Sequence, residues 1–180
     1  TASVHLPDSA ATEAVGARLA GALHGGMLVT LSGDLGAGKT TLARGCLRAL
    51  GWTRPVKSPS YTLVEHYPLS SLYFYHFDFY RFADPQEWET AGLSECFRDD
   101  AVCMVEWPER VAGLLPLPDL ELTLAHPADP SASGRQLALA AHNYHDTYLR
   151  FPSGQPLGYY SANWYTDVGN RNGDRSCWNS

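Results

Sequence analysis

No apolar run in this sequence approaches the roughly 20 residues that a helix needs to span a bilayer. The first residues, Thr1-Ala2-Ser3-Val4-His5-Leu6, lack the basic and apolar regions of a secretory signal. Cysteine is sparse: Cys46, Cys96, Cys103 and Cys177 show neither C-x-x-C pairing nor metal-ligand spacing. That removes a redox motif or zinc site from consideration and suits the reduced thiols of a cytosolic protein. Positive charge is also short. Thirteen Lys and Arg against nineteen Asp and Glu give a net charge of −6, which argues against a large nucleic-acid-binding face on this chain by itself. The expected setting is cytoplasmic and away from membranes, with any RNA connection running through a partner.

What is present suits one globular domain. The length of 180 residues allows one real core but argues against two, and 44% hydrophobic content is ordinary. Asp8 or Ser9 is placed to cap a helix running to about Leu23, which Gly25-Gly26 ends. Met27-Leu28-Val29-Thr30-Leu31 reads as a buried strand. A glycine-rich loop follows, then a helix from about Lys39 to Leu50. Tyr61 to Glu65, Leu72 to Asp78 and Ala101 to Val105 read as further strands, with Asp84-Pro85 opening a helix between the last two. Pro108 to Leu115 predicts a short helix, and Asp119 to Leu124 and Gln136 to Ala141 predict late strands. Alternating helices and buried strands predict an α/β domain with a central mixed, partly parallel sheet.

The glycine-rich loop is Gly33-Asp34-Leu35-Gly36-Ala37-Gly38-Lys39-Thr40, followed by Thr41. Three glycines let successive backbone N–H groups turn inward on phosphate oxygens, and the next helix adds its positive N-terminal end. In this pattern Lys39 bridges the β- and γ-phosphates and the Thr40 hydroxyl ligates Mg²⁺. A strand before and a helix after are the required context, and both are predicted here. A turn with an incidental lysine is the bland alternative.

Such a site also needs a carboxylate near the metal. In open α/β sheets ligands sit beyond the carboxyl ends of strands, and two acids occupy strand ends, Asp78 and Glu106. Glu106 fits an acid that holds Mg²⁺ directly or through water. Asp78 fits the same metal shell or the role of orienting an attacking water. Which of the two polarises the water stays open, as does the plainer role of capping a neighbouring helix.

Four motifs then stand in order. They are the phosphate loop, Ser58-Pro59-Ser60-Tyr61-Thr62-Leu63-Val64, His76-Phe77-Asp78-Phe79-Tyr80-Arg81 and Val105-Glu106-Trp107-Pro108-Glu109-Arg110. Together, from about Leu6 to about Ala141, they resemble the TsaE family of bacterial ATPases in tRNA threonylcarbamoyladenosine biosynthesis. The resemblance implies a P-loop NTPase fold and Mg²⁺-dependent ATP hydrolysis in support of the TsaB and TsaD proteins. Those partners transfer a threonylcarbamoyl group to an adenosine beside the tRNA anticodon. It further implies catalytic roles for Lys39, Asp78 and Glu106, and metal binding by Thr40 and Glu106. ATP binding falls to Asp34, Leu35, Gly36, Ala37, Gly38, Lys39, Thr40 and Thr41, with Thr12 on the base side. Trp107 falls on the family's tryptophan next to the acid, although a core role is the competing reading. Ser60 stands where the family more usually has threonine and keeps the hydroxyl. Arg81 and Arg110 suit phosphate neutralisation, a partner interface or plain salt bridges. His76 suits a half-buried structural histidine better than a proton shuttle.

Other readings use the same loop. A small-molecule or nucleotide kinase shares it, but Arg81, Arg98 and Arg110 form no obvious lid; a nucleotide-gated binding module would hydrolyse only incidentally. The composition changes after about residue 142, where Tyr, Trp, Asn and Gly dominate and lysine is absent. Leu137 to Tyr148 with Arg150-Phe151-Pro152 resembles a stretch of bacterial pilin-like secreted proteins, and His142, His145 and Asp146 read as ordinary surface residues rather than metal ligands. Residues 1–141 are therefore expected to form the ATPase domain, and 142–180 an extension without assigned function.

Overall fold

Short apolar runs, several with β-branched members, become neighbouring strands because only a sheet buries them on both faces. A computed structural model describes residues 2–129 and 131–142. Its strands are β1 (Ala2–Leu6), β2 (Leu28–Ser32), β3 (Val64–Pro68), β4 (Tyr73–Asp78), β5 (Ala101–Glu106), β6 (Leu120–Ala125) and β7 (Arg135–Ala141). They form one sheet in the order β1-β7-β6-β2-β5-β4-β3. The centre is parallel: β2 pairs with both β5 and β6, and β4 with β5. Both margins are antiparallel, through β3–β4 on one side and β6–β7 and β1–β7 on the other. This is the mixed, partly parallel sheet of a P-loop NTPase fold.

The burial pattern follows from position. Every residue of central β5 is buried, whereas β6 alternates Leu120, Leu122 and Leu124 inward with Glu121, Thr123 and Ala125 outward. Helices α1 (Ser9–Ala20) and α2 (Lys39–Ala49) cover one face, packing Val15, Leu19, Leu42 and Leu47 on Val29, Leu31, Met104 and Leu122. The short α3 (Pro85–Thr90) belongs to the other face, where Phe77, Phe79, Phe82, Trp88 and Val105 form a second core cluster. Asp8 caps α1 by accepting from the Ala11 N–H at 2.7 Å.

α1 and α2 approach closely because each offers a glycine at the contact. A Cβ on Gly16 would lie 2.2 Å from the Leu42 carbonyl oxygen, and one on Gly45 2.2 Å from that of Glu13. The helices are further clasped by Glu13, which pairs with Arg44 at 3.3 Å and Arg48 at 2.6 Å. Gly16→Ala and Gly45→Ala should therefore each lower stability by about 1–3 kcal/mol in urea titrations. Losses under about 0.5 kcal/mol at both, the range of neutral surface changes, would contradict this packing.

Several boundaries differ from the sequence expectations. β3 begins at Val64 rather than Tyr61, because Leu63 adopts a left-handed φ of 64° that a strand does not admit. The expected helix from Pro108 to Leu115 is a single 3₁₀ turn, Pro108–Val111, and Gly113 follows with a φ of 85°. α1 ends at Ala20, short of Leu23. β1 was not expected, since its five residues gain their partners only from the distant β7. Apart from His142, the extension 142–180 and its Cys177 lie outside the described residues. The other three cysteines form no disulfide among the described residues, and burial raises the thiols of Cys46 and Cys103, the latter to about 12.

Candidate active site

Parallel β2, β5 and β4 lie side by side, so their carboxyl ends open on one edge of the sheet. The phosphate loop leaves β2 there, and Asp78 ends β4 directly opposite Glu106, the last residue of β5. Glu106 is in turn level with Leu31 of β2. Residues 39, 78 and 106, far apart in the chain, thus converge through strand order alone.

The loop needs its glycines. Gly33 sits at φ 135°, and a Cβ there would lie 2.0 Å from the Leu124 carbonyl oxygen. Gly38, at φ 106°, makes the left-handed entry into α2, leaving the helix N-terminus open toward the loop. Lys39 is buried and points back along this loop. Its Nζ donates to the carbonyls of Gly33 at 2.6 Å and Asp34 at 2.8 Å. Burial pulls its pKa below that of an ordinary lysine, opposed by the charges of Glu106, Asp78, Glu109 and Asp34.

Trp107 covers the lysine, with Nζ 4.0 Å from its ring centroid. The placement depends on a left-handed residue, since Trp107 has φ 60°. A non-glycine residue held there costs roughly 1–3 kcal/mol. The turn directly after Glu106 carries the indole over the loop, where it also meets Tyr80, centroids 5.0 Å apart. Of the two readings of Trp107, the geometry favours the site-lining one.

Both acids are held by fixed partners. Glu106 is 3% exposed, and its Oε1 accepts from the Thr40 hydroxyl at 2.8 Å and from His76 Nε2 at 2.9 Å. Asp78 accepts from the Tyr80 N–H at 2.9 Å through Oδ1 and from the Ser58 hydroxyl through Oδ2. The cavity between the loop and these acids measures about 410 Å³. Leu35, Gly36, Gly38, Lys39, Thr40 and Thr41 line one side; Ser58, Ser60, Asp78, Tyr80, Arg81, Glu106 and Trp107 line the rest. That size falls within the usual range for small-ligand sites, about 300–1,000 Å³.

Other expected residues are placed differently. Asp34 and Ala37 contribute backbone carbonyls, to Lys39 and to Arg135 respectively. Thr12 is fully buried in α1, donating to the Asp8 carbonyl at 3.0 Å, and is not in the cavity wall. Arg81 reaches the wall while stacking 4.4 Å over Tyr61, whereas Arg110 does not line it. His76 is completely rather than half buried.

Arg135 was not anticipated. From the start of β7 it donates to the Ala37 carbonyl at 3.3 Å and flanks Gly38. The two residues are 98 apart in sequence, and no local pattern near Arg135 signals the contact.

The donors around Thr40 and Glu106 are hard oxygens. Among the described residues no group of three or more His, Cys, Asp and Glu forms a metal cage. This set fits Mg²⁺, which is usually held by one or two protein oxygens together with phosphates and water. No described helix is long and apolar enough to cross a membrane.

Comparisons with known proteins agree with this layout. Residues 6–137 match the family model described as threonylcarbamoyl adenosine biosynthesis protein TsaE. The chain is 51% identical over 94 residues to the Haemophilus influenzae tRNA threonylcarbamoyladenosine biosynthesis protein TsaE, covering 52% of this chain and 60% of that one. The Bacillus subtilis protein of the same description is 42% identical over 104 residues, covering 58% and 65%. The matched part thus spans less than two thirds of either relative. The crystal structure of Bacillus subtilis YdiB superposes with a TM-score of 0.63 at 32% identity, covering 76% of this chain and 82% of that one. By its fold, the order of its motifs and the model match over most of its length, the chain belongs to the TsaE family.

Proposed function

We propose that this protein is a cytoplasmic Mg²⁺-dependent ATPase that supports TsaB and TsaD in threonylcarbamoyl modification of the tRNA adenosine next to the anticodon. The carrying observation is the convergence of Lys39, Thr40, Asp78 and Glu106 on one cavity beyond the parallel strands. Backbone N–H groups of residues 34–41 and the start of α2 supply a cradle for the triphosphate. Lys39, already held at the loop, would exchange carbonyl partners for phosphate oxygens. Thr40 and Glu106 would hold Mg²⁺, which when bound offsets charge on the phosphates. Asp78 is fixed by Ser58 and Tyr80 and can accept a hydrogen bond from an attacking water. Family membership supports the pathway, and the net charge of −6 favours reaching tRNA through partners.

The test combines two readouts. ATP hydrolysis is measured for the chain alone and with TsaB and TsaD, and threonylcarbamoyladenosine is measured in tRNA from cells lacking the protein. Stimulated hydrolysis with loss of the modified nucleoside is expected. Phosphate transfer from ATP to a small acceptor would instead identify a kinase and overturn the proposal.

A further inference from the structure

We infer that His76 is a positioning residue that holds the carboxylate of Glu106 in its metal-binding orientation. The inference rests on the proposed Mg²⁺ site. His76 lies on β4, fully buried, with Nε2 2.9 Å from Glu106 Oε1. An ionised carboxylate only accepts hydrogen bonds, so the proton of this contact sits on Nε2.

The other ring nitrogen shows why a histidine at this place calls for a reason. Nδ1 is buried and has no hydrogen-bond partner among the described residues. Leaving such a group unsatisfied costs about 1–3 kcal/mol, which an apolar side chain here would avoid. Phe74, two residues back on the same face of β4, is fully buried in the apolar core, so the strand would accept an apolar side chain beside it. The cost is offset by what Nε2 does for Glu106.

The second donor to Glu106 explains when that matters. Among the described residues the Glu106 carboxylate accepts only from Thr40 and His76, both through Oε1. The Thr40 hydroxyl is itself a proposed metal ligand: its oxygen would face Mg²⁺ through a lone pair while its O–H still donates to Glu106, so its direction would follow the ion as well as the carboxylate. His76 is the one of the two donors whose direction owes nothing to the ion. It lies on β4, which pairs with β5, so its place is set by the sheet rather than by the phosphate loop. Outer partners of this kind typically change metal affinity by about 10- to 100-fold.

Three variants test this. His76→Leu removes the donor, His76→Asn keeps an amide too short to reach Glu106, and His76→Gln keeps an N–H near the position of Nε2. ATP affinity is measured by calorimetry in EDTA and across a Mg²⁺ titration, with melting temperature followed in parallel. For His76→Leu and His76→Asn the half-saturating Mg²⁺ concentration should rise on the order of 10-fold or more, while affinity in EDTA stays within about twofold. His76→Gln should recover most of the loss, including when His76→Leu proves too unstable to assay. An unchanged Mg²⁺ requirement in His76→Asn, or equal loss in EDTA and in Mg²⁺, would overturn the positioning role. If wild-type affinity ignores Mg²⁺ altogether, the metal-site reading fails first and the inference falls with it.

Discussion

Glu106→Ala should lower ATP turnover by about 10²–10³-fold while leaving nucleotide affinity in EDTA within a few-fold of wild type. The split follows from what the carboxylate touches. The Glu106 carboxylate accepts from Thr40 and His76 and makes no hydrogen bond to residues 33–39. Its removal deletes a proposed metal ligand without disturbing the backbone cradle. It also leaves the buried His76 Nε2 with no acceptor, so some stability is lost, and melting temperature should be read beside the kinetics. Steady-state phosphate release and calorimetric binding on one preparation separate the two effects. Wild-type turnover in this variant would remove Glu106 from the mechanism.

Lys39→Ala should act on binding itself. The side chain is buried, and its Nζ sits within hydrogen-bonding distance of two loop carbonyls, the place where a phosphate's negative charge would meet a fixed cation. Loss of a desolvated, charge-assisted contact of this type weakens binding by roughly 2–5 kcal/mol, or about 30-fold to several thousand-fold. Affinity should therefore fall both in EDTA and in Mg²⁺, the reverse of the Glu106→Ala pattern. Because the indole of Trp107 lies 4.0 Å from Nζ, its fluorescence should also change when nucleotide draws the lysine away. That signal should be absent from Lys39→Ala. An undiminished affinity would mean that the loop does not carry the phosphates.

The parts of this site legible from sequence are those set by local chemistry. Glycines at 33, 36 and 38, a lysine and a hydroxyl at fixed spacing need no tertiary information. Acids at the ends of apolar strands are equally local, and parallel pairing then aligns Asp78 with Glu106. What escaped notice depends on contacts between distant segments. Arg135 reaches the loop only because β7 pairs with β6, next to β2. β1 is a short margin strand whose partner lies more than a hundred residues on. The bonds of Thr40 and His76 to the same Glu106 oxygen could not be read from spacing, since they depend on side-chain direction inside the sheet. Leu63 and Trp107 illustrate a different limit: both take left-handed backbone conformations that their residue types disfavour, so propensity points elsewhere.

The two acids also differ in a way that strand position alone did not reveal. Asp78 is tied to the Ser58 loop and to the backbone of Tyr80, while Glu106 is tied to the phosphate loop through Thr40. Movement of the Ser58-to-Leu63 segment would therefore be felt first at Asp78. This division would give the segment a route to the proposed hydrolysis through Asp78.

The central claim is that one cavity, floored by the phosphate loop and walled by Asp78 and Glu106, binds ATP with Mg²⁺. Calorimetric titration of the purified chain with a non-hydrolysable ATP analogue, with and without Mg²⁺, addresses it directly. The account predicts one nucleotide per chain, bound more tightly when Mg²⁺ is present. No detectable binding, or a second nucleotide of equal affinity, would contradict it.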